Sequence, residues 1–262
     1  MRFITKNGIE LLQFGHLAAE EQLLHGITTR SGGTSAGVLN GLNLSYTVGD
    51  EEQNVTANRN LLAAAMEAPP EKLVFPKQTH SVNIRIVTSG NYHEPIPDTD
   101  ALVTAETGLA LAVMSADCVT VLLYDPEKRV IAAIHAGWKG TVNGIVRNTV
   151  ELMKNEFGCR PESILAGIGP SICAENYEVG PEVAEQFRIA FTNAGELLSR
   201  FHGDKAHADL WKANRTWLLQ QGIPETNIET AGICTYNNPG KFFSARYFKN
   251  HTGRFAGCIK MT

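Results

Sequence analysis

The chain has 262 residues, with 23 Lys and Arg against 27 Asp and Glu, for a net charge of −4. So mild a balance leaves no electrostatic footprint for a nucleic acid, and no apolar run approaches the roughly 20 residues that cross a bilayer. Five cysteines form an odd, scattered set, which is no disulfide framework and fits a reducing cytoplasm.

In chain order, the opening "MRFITKNGIELLQF" has no uninterrupted apolar segment and no small-residue cleavage site, so it does not read as a secretory signal. "TTRSGGTSAGVLNGLNLSYTVGDEEQNV" is too long for a plain connection. Its Val38, Leu39, Leu42 and Leu44 favour an ordered loop lining a site. "NVTANRNLLAAAMEA" puts Val55, Leu62 and Ala65 on one helical stripe, and Pro69-Pro70 ends it. "VNIRIV" alternates as a half-exposed strand. "LALAVM", "CVTVLLY", "VIAAIH" and "SILAGI" are continuous apolar runs, expected as strands buried on both faces.

"NGIVRNTVELMKNEF" aligns Val146, Val150, Met153 and Phe157, with Gly158 as C-terminal cap. "PEVAEQFRIAF" begins with Pro181 in the first turn. "HGDKAHADL", with His202, Asp204 and His207, reads as a polar loop capping the next helix rather than a second metal site. That helix, "ADLWKANRTWLLQQG", ends at Gly222. The expected fold is α/β of mixed α+β type, a single domain with a mixed β-sheet core in one sheet or two packed sheets, flanked by helices.

Three side chains of metal-binding type sit at strand-like segments: His80, Cys118 and His135. A hairpin around Asp125-Pro126 would make the start of "CVTVLLY" and the end of "VIAAIH" neighbours by antiparallel geometry. One thiolate and two imidazoles suit zinc and leave a fourth tetrahedral position open, as catalytic sites do. Asp117 and Gln78 stand where they could orient ligands or a bound water. The residues alone leave two alternatives: Cys118 as a packed core cysteine, or as a nucleophile with either histidine as base.

The segments "HGITTRSGG", "LNLSYTVGDEEQNVTANR", "KQTHSVNI", "SADCVTVLLYD", "HAGWKGT", "GPSICAENYEVG" and "FFSARYFKNHTGRFAG" together resemble the YfiH/YlmD family. Its members are called both polyphenol oxidase (laccase domain) and multifunctional purine nucleoside phosphorylase. The resemblance runs over nearly the whole chain and implies one catalytic domain, 1–262, in the cytoplasm. It implies zinc ligands at His80, Cys118 and His135. The implied activity is phosphorolysis of adenosine, inosine and methylthioadenosine, with deamination of adenosine. The partners are then small purine nucleosides and phosphate, with no nucleic acid and no membrane, for a monomer or homodimer.

The chain departs from the family pattern at Thr120, Lys139, Glu175-Asn176 and "SARYF", where Tyr247 replaces a second arginine and Arg246 remains. Phosphate calls for arginine forks, and Arg59 and Arg246 are the expected ones. Arg30 and Lys139 are weaker candidates. Asn43 is expected to bond the nucleoside, and Asp117 is the carboxylate nearest the ligands for a catalytic proton. Tyr177 and Trp138 either stack on a base or pack. Two other functions remain open: copper (Cu2+) oxidation of polyphenols, and amide hydrolysis of a cell-wall precursor by Cys118 or zinc. None of the eight histidines lies two residues from another, so the H-x-H pairs of a multicopper site are missing.

Overall fold

The computed structural model describes every residue from Met1 to Thr262. Fifteen strands form three sheets, with six α-helices around them. The first sheet runs β1 (Arg2–Lys6), β2 (Ile9–Gln13), β3 (Leu23–Thr28), β15 (Phe255–Met261), β7 (Ala110–Ser115), β4 (Leu73–Val74). The second runs β14 (Ile228–Thr230), β10 (Leu165–Ile168), β8 (Val119–Asp125), β9 (Val130–Ala136), β6 (Ala101–Thr104), β5 (Ile84–Ile86). A small third sheet joins β11 (Glu178–Val179), β13 (Lys205–Ala208) and β12 (Leu198–His202).

The two large sheets pack face to face, because their strands are apolar on both sides and each must find two partners. Leu111 and Val113 of β7 meet Leu122 of β8 and Ile131 of β9 in the layer between them. The other face of the second sheet takes Val121, Ala132 and Ile134 against the helices α3 (Ile145–Phe157), α4 (Pro181–Ala190) and α6 (Leu210–Gln220). The short helices α2 (Trp138–Val142) and α5 (Ala194–Leu197) complete that layer. On the outer face of the first sheet, α1 (Glu52–Ala65) lays Leu62 and Ala65 over Ala110, Ala112 and Cys258. The expected mixed fold is therefore present, in its two-sheet form.

The expected caps are present as well. Gly158 ends α3 at φ 67°, the left-handed turn that glycine adopts freely. Asp209 caps α6 by accepting the Lys212 N–H at 2.9 Å. The segment 202–207, read as a capping loop, instead turns the hairpin β12–β13, with His202 paired to Lys205. Its side chains are largely exposed and alternate weakly, so period two was hidden.

Two buried aromatic rings fix the near edge of the first sheet. Phe14 stacks on His25, ring centroids 6.0 Å apart, and its backbone N–H donates to His25 Nε2 at 2.9 Å. Burial, aided by the nearby His16 charge and opposed by Glu229, pushes the His25 pKa down to about 4. An unfolded histidine titrates near 6.5, so between those values the unfolded chain binds the extra proton. This contribution to stability is intact above pH 6.5 and is lost as pH falls toward 4, by up to about 3 kcal/mol. Urea midpoints at pH 7 and pH 4.5 should therefore differ, and His25→Leu should shrink the difference even though it removes the Phe14 bond at both pH values.

Candidate metal centre

The hairpin β8–β9 sets Thr120 opposite His135 and Val119 opposite Ala136. Side chains alternate along both strands. Leu122, Ile131 and Ala133 point into the layer between the sheets, so His135 points there too, at the open end of the layer. Cys118 lies one step before β8 and diagonally across from His135. His80 comes from the loop that leads toward β5. The Cys118 sulfur, one nitrogen of His80 and one of His135 all lie within 4.8 Å of one another. Cys118 Sγ stands 3.8 Å from His80 Nε2. His135 is buried, Cys118 half-buried and His80 exposed, so the group opens to solvent on the His80 side.

Asp100, just before β6, holds both histidines. Its side chain is wholly buried, and it accepts five hydrogen bonds. Oδ1 takes His135 Nδ1 at 2.8 Å and the His80 backbone N–H at 3.1 Å. Oδ2 takes the Thr79 and Ser81 N–H groups at 3.1 and 2.7 Å and the Ser81 hydroxyl at 2.9 Å. Burial pushes the Asp100 carboxyl up, but the His135 hydrogen bond and charge, with the Ser81 and Thr79 N–H groups, hold it down at about 2. An ionised Asp100 holds a proton on His135 Nδ1 and turns Nε2 toward Cys118, where it can donate to the thiolate or, once deprotonated, bind a metal.

The local backbone is unusual where the ligands leave the strands. His80 has φ 63° and Asp117 φ 93°, left-handed values that side chains other than glycine rarely take. Such residues persist only where their surroundings hold them. The Asp100 oxygens hold the turn at His80. At Asp117, Oδ1 accepts the Thr235 hydroxyl and Oδ2 the Arg246 N–H, each at 2.6 Å, while the Asp117 carbonyl accepts the Ile172 N–H at 3.0 Å.

Electrostatics favour the ligating form of the sulfur. Burial pushes the Cys118 thiol up, but the His135 charge and hydrogen bonds from His135 and His80 outweigh it and bring it well below the usual thiol range. Burial pushes His135 down, and the Cys118 sulfur and Asp100 carboxylate carry it above the usual histidine value. A thiolate is the form of cysteine that binds a metal. The residues fit a metal in shape as well. A Cβ placed on Gly137 would stand 2.8 Å from a His80 ring carbon and 3.0 Å from Cys118 Sγ, so the bare glycine keeps the space beside the donors clear.

The other expected site residues mostly bind within the protein. Gln78 bridges to β7, donating to the Met114 carbonyl at 2.8 Å and accepting its N–H at 2.7 Å. It thus anchors the loop that carries His80. Asn43, expected on the nucleoside, is wholly buried. It donates to Ser45 O and Asp50 and accepts the Ser45 and Arg254 N–H groups, so it shapes its own loop. Asp117 spends both carboxylate oxygens on Thr235 and Arg246, so it holds those segments in place of standing free as an acid. Arg59 donates to the Leu44 carbonyl and lies between the Tyr46 and Phe75 rings, 4.4 and 4.1 Å away. Arg246 lies over the Tyr177 ring and donates to the carbonyls of Asn176 and Glu178.

Asp100 and Gly137 belong to the site as well, and no sequence pattern marks either as part of it. The only trace of Asp100 is its place directly before the apolar run "ALV".

His80, Cys118 and His135 thus bring three side chains able to hold one metal ion together on a two-sheet scaffold. The family model described as multi-copper polyphenol oxidoreductase laccase matches residues 24–262, and the chain belongs to that family. A protein named purine nucleoside phosphorylase from Bacteroides thetaiotaomicron is 41% identical over 98% of this chain and 97% of its own. A protein named adenosine deaminase from an unknown prokaryotic organism is 36% identical over 89% of this chain and 92% of its own. The crystal structure of the hypothetical protein YfiH from Bacillus licheniformis superposes with a TM-score of 0.93 at 31% identity, covering 99% of both chains. The chain is thus a member of an enzyme family, as its motifs implied.

Removing the Asp100 carboxylate frees both histidines at once. Asp100→Asn should weaken zinc binding by about 10–100-fold, as loss of such supporting groups does elsewhere. Gly137→Ala should lower it through steric conflict. Competition with a chromophoric chelator reads both, and near-native affinity in both variants would contradict the arrangement.

Proposed function

We propose that this chain is a zinc-dependent purine nucleoside enzyme, cleaving adenosine, inosine and methylthioadenosine by phosphorolysis and deaminating adenosine. The observation that carries this reading is an open His80–Cys118–His135 group in a chain 41% identical, over nearly its full length, to a protein named purine nucleoside phosphorylase. The relative named adenosine deaminase supports the second reaction.

Zinc held by His80, Cys118 and His135 would supply Lewis acidity at its open coordination position. The chain's own groups do the rest. Asp100 keeps His135 in one tautomer and the His80 turn in one shape, so the donors are set before substrate arrives. Gly137 leaves room beside them. The Arg246 guanidinium lies over the Tyr177 ring, and burial pushes the Tyr177 phenol up.

The family description favours a second reading, copper-dependent oxidation of phenols. The same three donors accept copper, which outbinds zinc at many such sites. They form one group, enough for one ion, so oxidase activity would come from copper loading of this centre.

Chromatography of the products from adenosine, with and without phosphate, tests the proposal. Adenine should form only with phosphate, and inosine in either case. Cys118→Ala should lose both by about a hundredfold or more, the scale of several kcal/mol of Lewis-acid stabilisation. Untouched adenosine with native zinc-loaded protein would refute the nucleoside assignment and leave phenol oxidation or amide hydrolysis.

A further inference from the structure

Phosphorolysis needs a cationic fork that is free to take phosphate close to the metal ligands. The other arginines flanking the site are already held within the protein. Arg30 donates through Nε and Nη2 to the Asn40 carbonyl and through Nη1 to that of Pro239. Arg246 uses both terminal nitrogens on carbonyls. Arg59 uses Nε on the Leu44 carbonyl and Nη2 on the Met114 sulfur at 3.9 Å, with an aromatic ring on either side.

Arg254 differs. Its Nη1 donates to the carbonyls of Thr252 and Gly253 at 3.0 and 2.9 Å, which pins the guanidinium from one end. Its Nε and Nη2 have no partner within the protein and are not sealed from solvent. Those two N–H groups form the side-on fork that matches two oxygens of a phosphate.

Its place in the fold follows from strand register. Phe255 pairs with Ser115 across β15 and β7, so Arg254 falls opposite Ala116, directly before Asp117 and Cys118. Its backbone is fixed there, with its N–H on Asn43 Oδ1 at 2.9 Å and its carbonyl accepting the Leu44 N–H at 3.0 Å. The opposite charges facing it are Cys118 and Asp117. Asp117 has both oxygens taken by Thr235 and Arg246, so it does not close the fork.

We propose that Arg254 binds the attacking phosphate, holding inorganic phosphate side-on through Nε and Nη2 beside the His80–Cys118–His135 group. The inference rests on the phosphorolytic reading. In that reaction one oxygen of HPO4²⁻ bonds to C1′ of the ribose and the C1′–N9 bond breaks. Its electron pair goes to the purine, which takes up the proton that phosphate loses. The products are ribose 1-phosphate and free base. Arg254 stays protonated throughout and acts by placing the nucleophile.

The test compares zinc-loaded wild type with Arg254→Gln and Arg254→Lys. It measures phosphate KM, nucleoside KM, zinc content and calorimetric binding of inorganic phosphate. Arg254→Gln should raise the phosphate KM and weaken phosphate binding by about tenfold or more, as loss of a charge-assisted pair does. Nucleoside KM and zinc content should stay within about twofold, and Arg254→Lys should fall between, keeping charge without the fork. Phosphate-independent formation of inosine should persist.

An unchanged phosphate KM with lowered zinc content would overturn the inference and make Arg254 a counter-charge for the thiolate. Arg254-dependent phosphate binding in a protein that cleaves no nucleoside would keep the inference and sink the phosphorolytic reading. Should both variants fail to fold, wild type still decides. Phosphate should protect Arg254 from phenylglyoxal, read by mass spectrometry, and equal labelling with and without phosphate would overturn the proposal.

Discussion

The hydrogen bond between Asp100 and His135 is the constraint on which the site depends. A carboxylate wholly removed from water is costly unless its lone pairs are filled. Here five donors fill them, and four belong to the turn that carries His80. The same charge therefore draws one histidine in by its backbone and the other by its ring. The second sheet makes this possible, because β6 pairs with β9 and brings Asp100 alongside His135, whose backbone N–H also donates to the Asp100 carbonyl at 2.8 Å. The donors are held by rigid elements and left open on the His80 side, which suits a catalytic centre better than a closed structural one.

Sheet packing determines where that opening lies. The layer between the sheets is filled by Leu, Val, Ile and aromatic side chains along most of its length. At the His135 end it runs out of apolar residues, and the polar turns around Thr79, Asp117 and Thr235 take over. Close approach of the backbone is needed there. Gly257 passes with its Cβ position 3.1 Å from the Thr120 side chain, and Gly169 lies nearer still. The glycines let β15 and the end of β10 close over the hairpin that presents Cys118 and His135.

Much of this was legible in the sequence. The four long helices carry strong periodicity, the five strands show as one alternating and four continuous apolar runs, and each element exists close to the expected span. The hairpin around Asp125-Pro126 follows from two apolar runs and a turn signal, and it brings Cys118 near His135. Strands with poor local signals were not legible. β15, "FAGCIKM", contains Gly257 and Lys260, yet it pairs with β3 and β7 in the middle of the first sheet, and Lys260 Nζ finds the Glu67 carbonyl at 2.6 Å. Asp98 and Asp100 look alike in sequence, and only the tertiary structure buries one and leaves the other exposed. The free fork of Arg254 is equally invisible, since it depends on which carbonyls the other arginines find.

X-ray absorption at the zinc edge, on protein loaded with one equivalent of the metal, reads the donor set directly. One sulfur at about 2.3 Å and two imidazole nitrogens at about 2.0 Å should be found, with a further light atom completing four-coordination. The sulfur should be missing in Cys118→Ala. A wild-type spectrum with no sulfur ligand would rule out the His80–Cys118–His135 site, because zinc would then bind elsewhere.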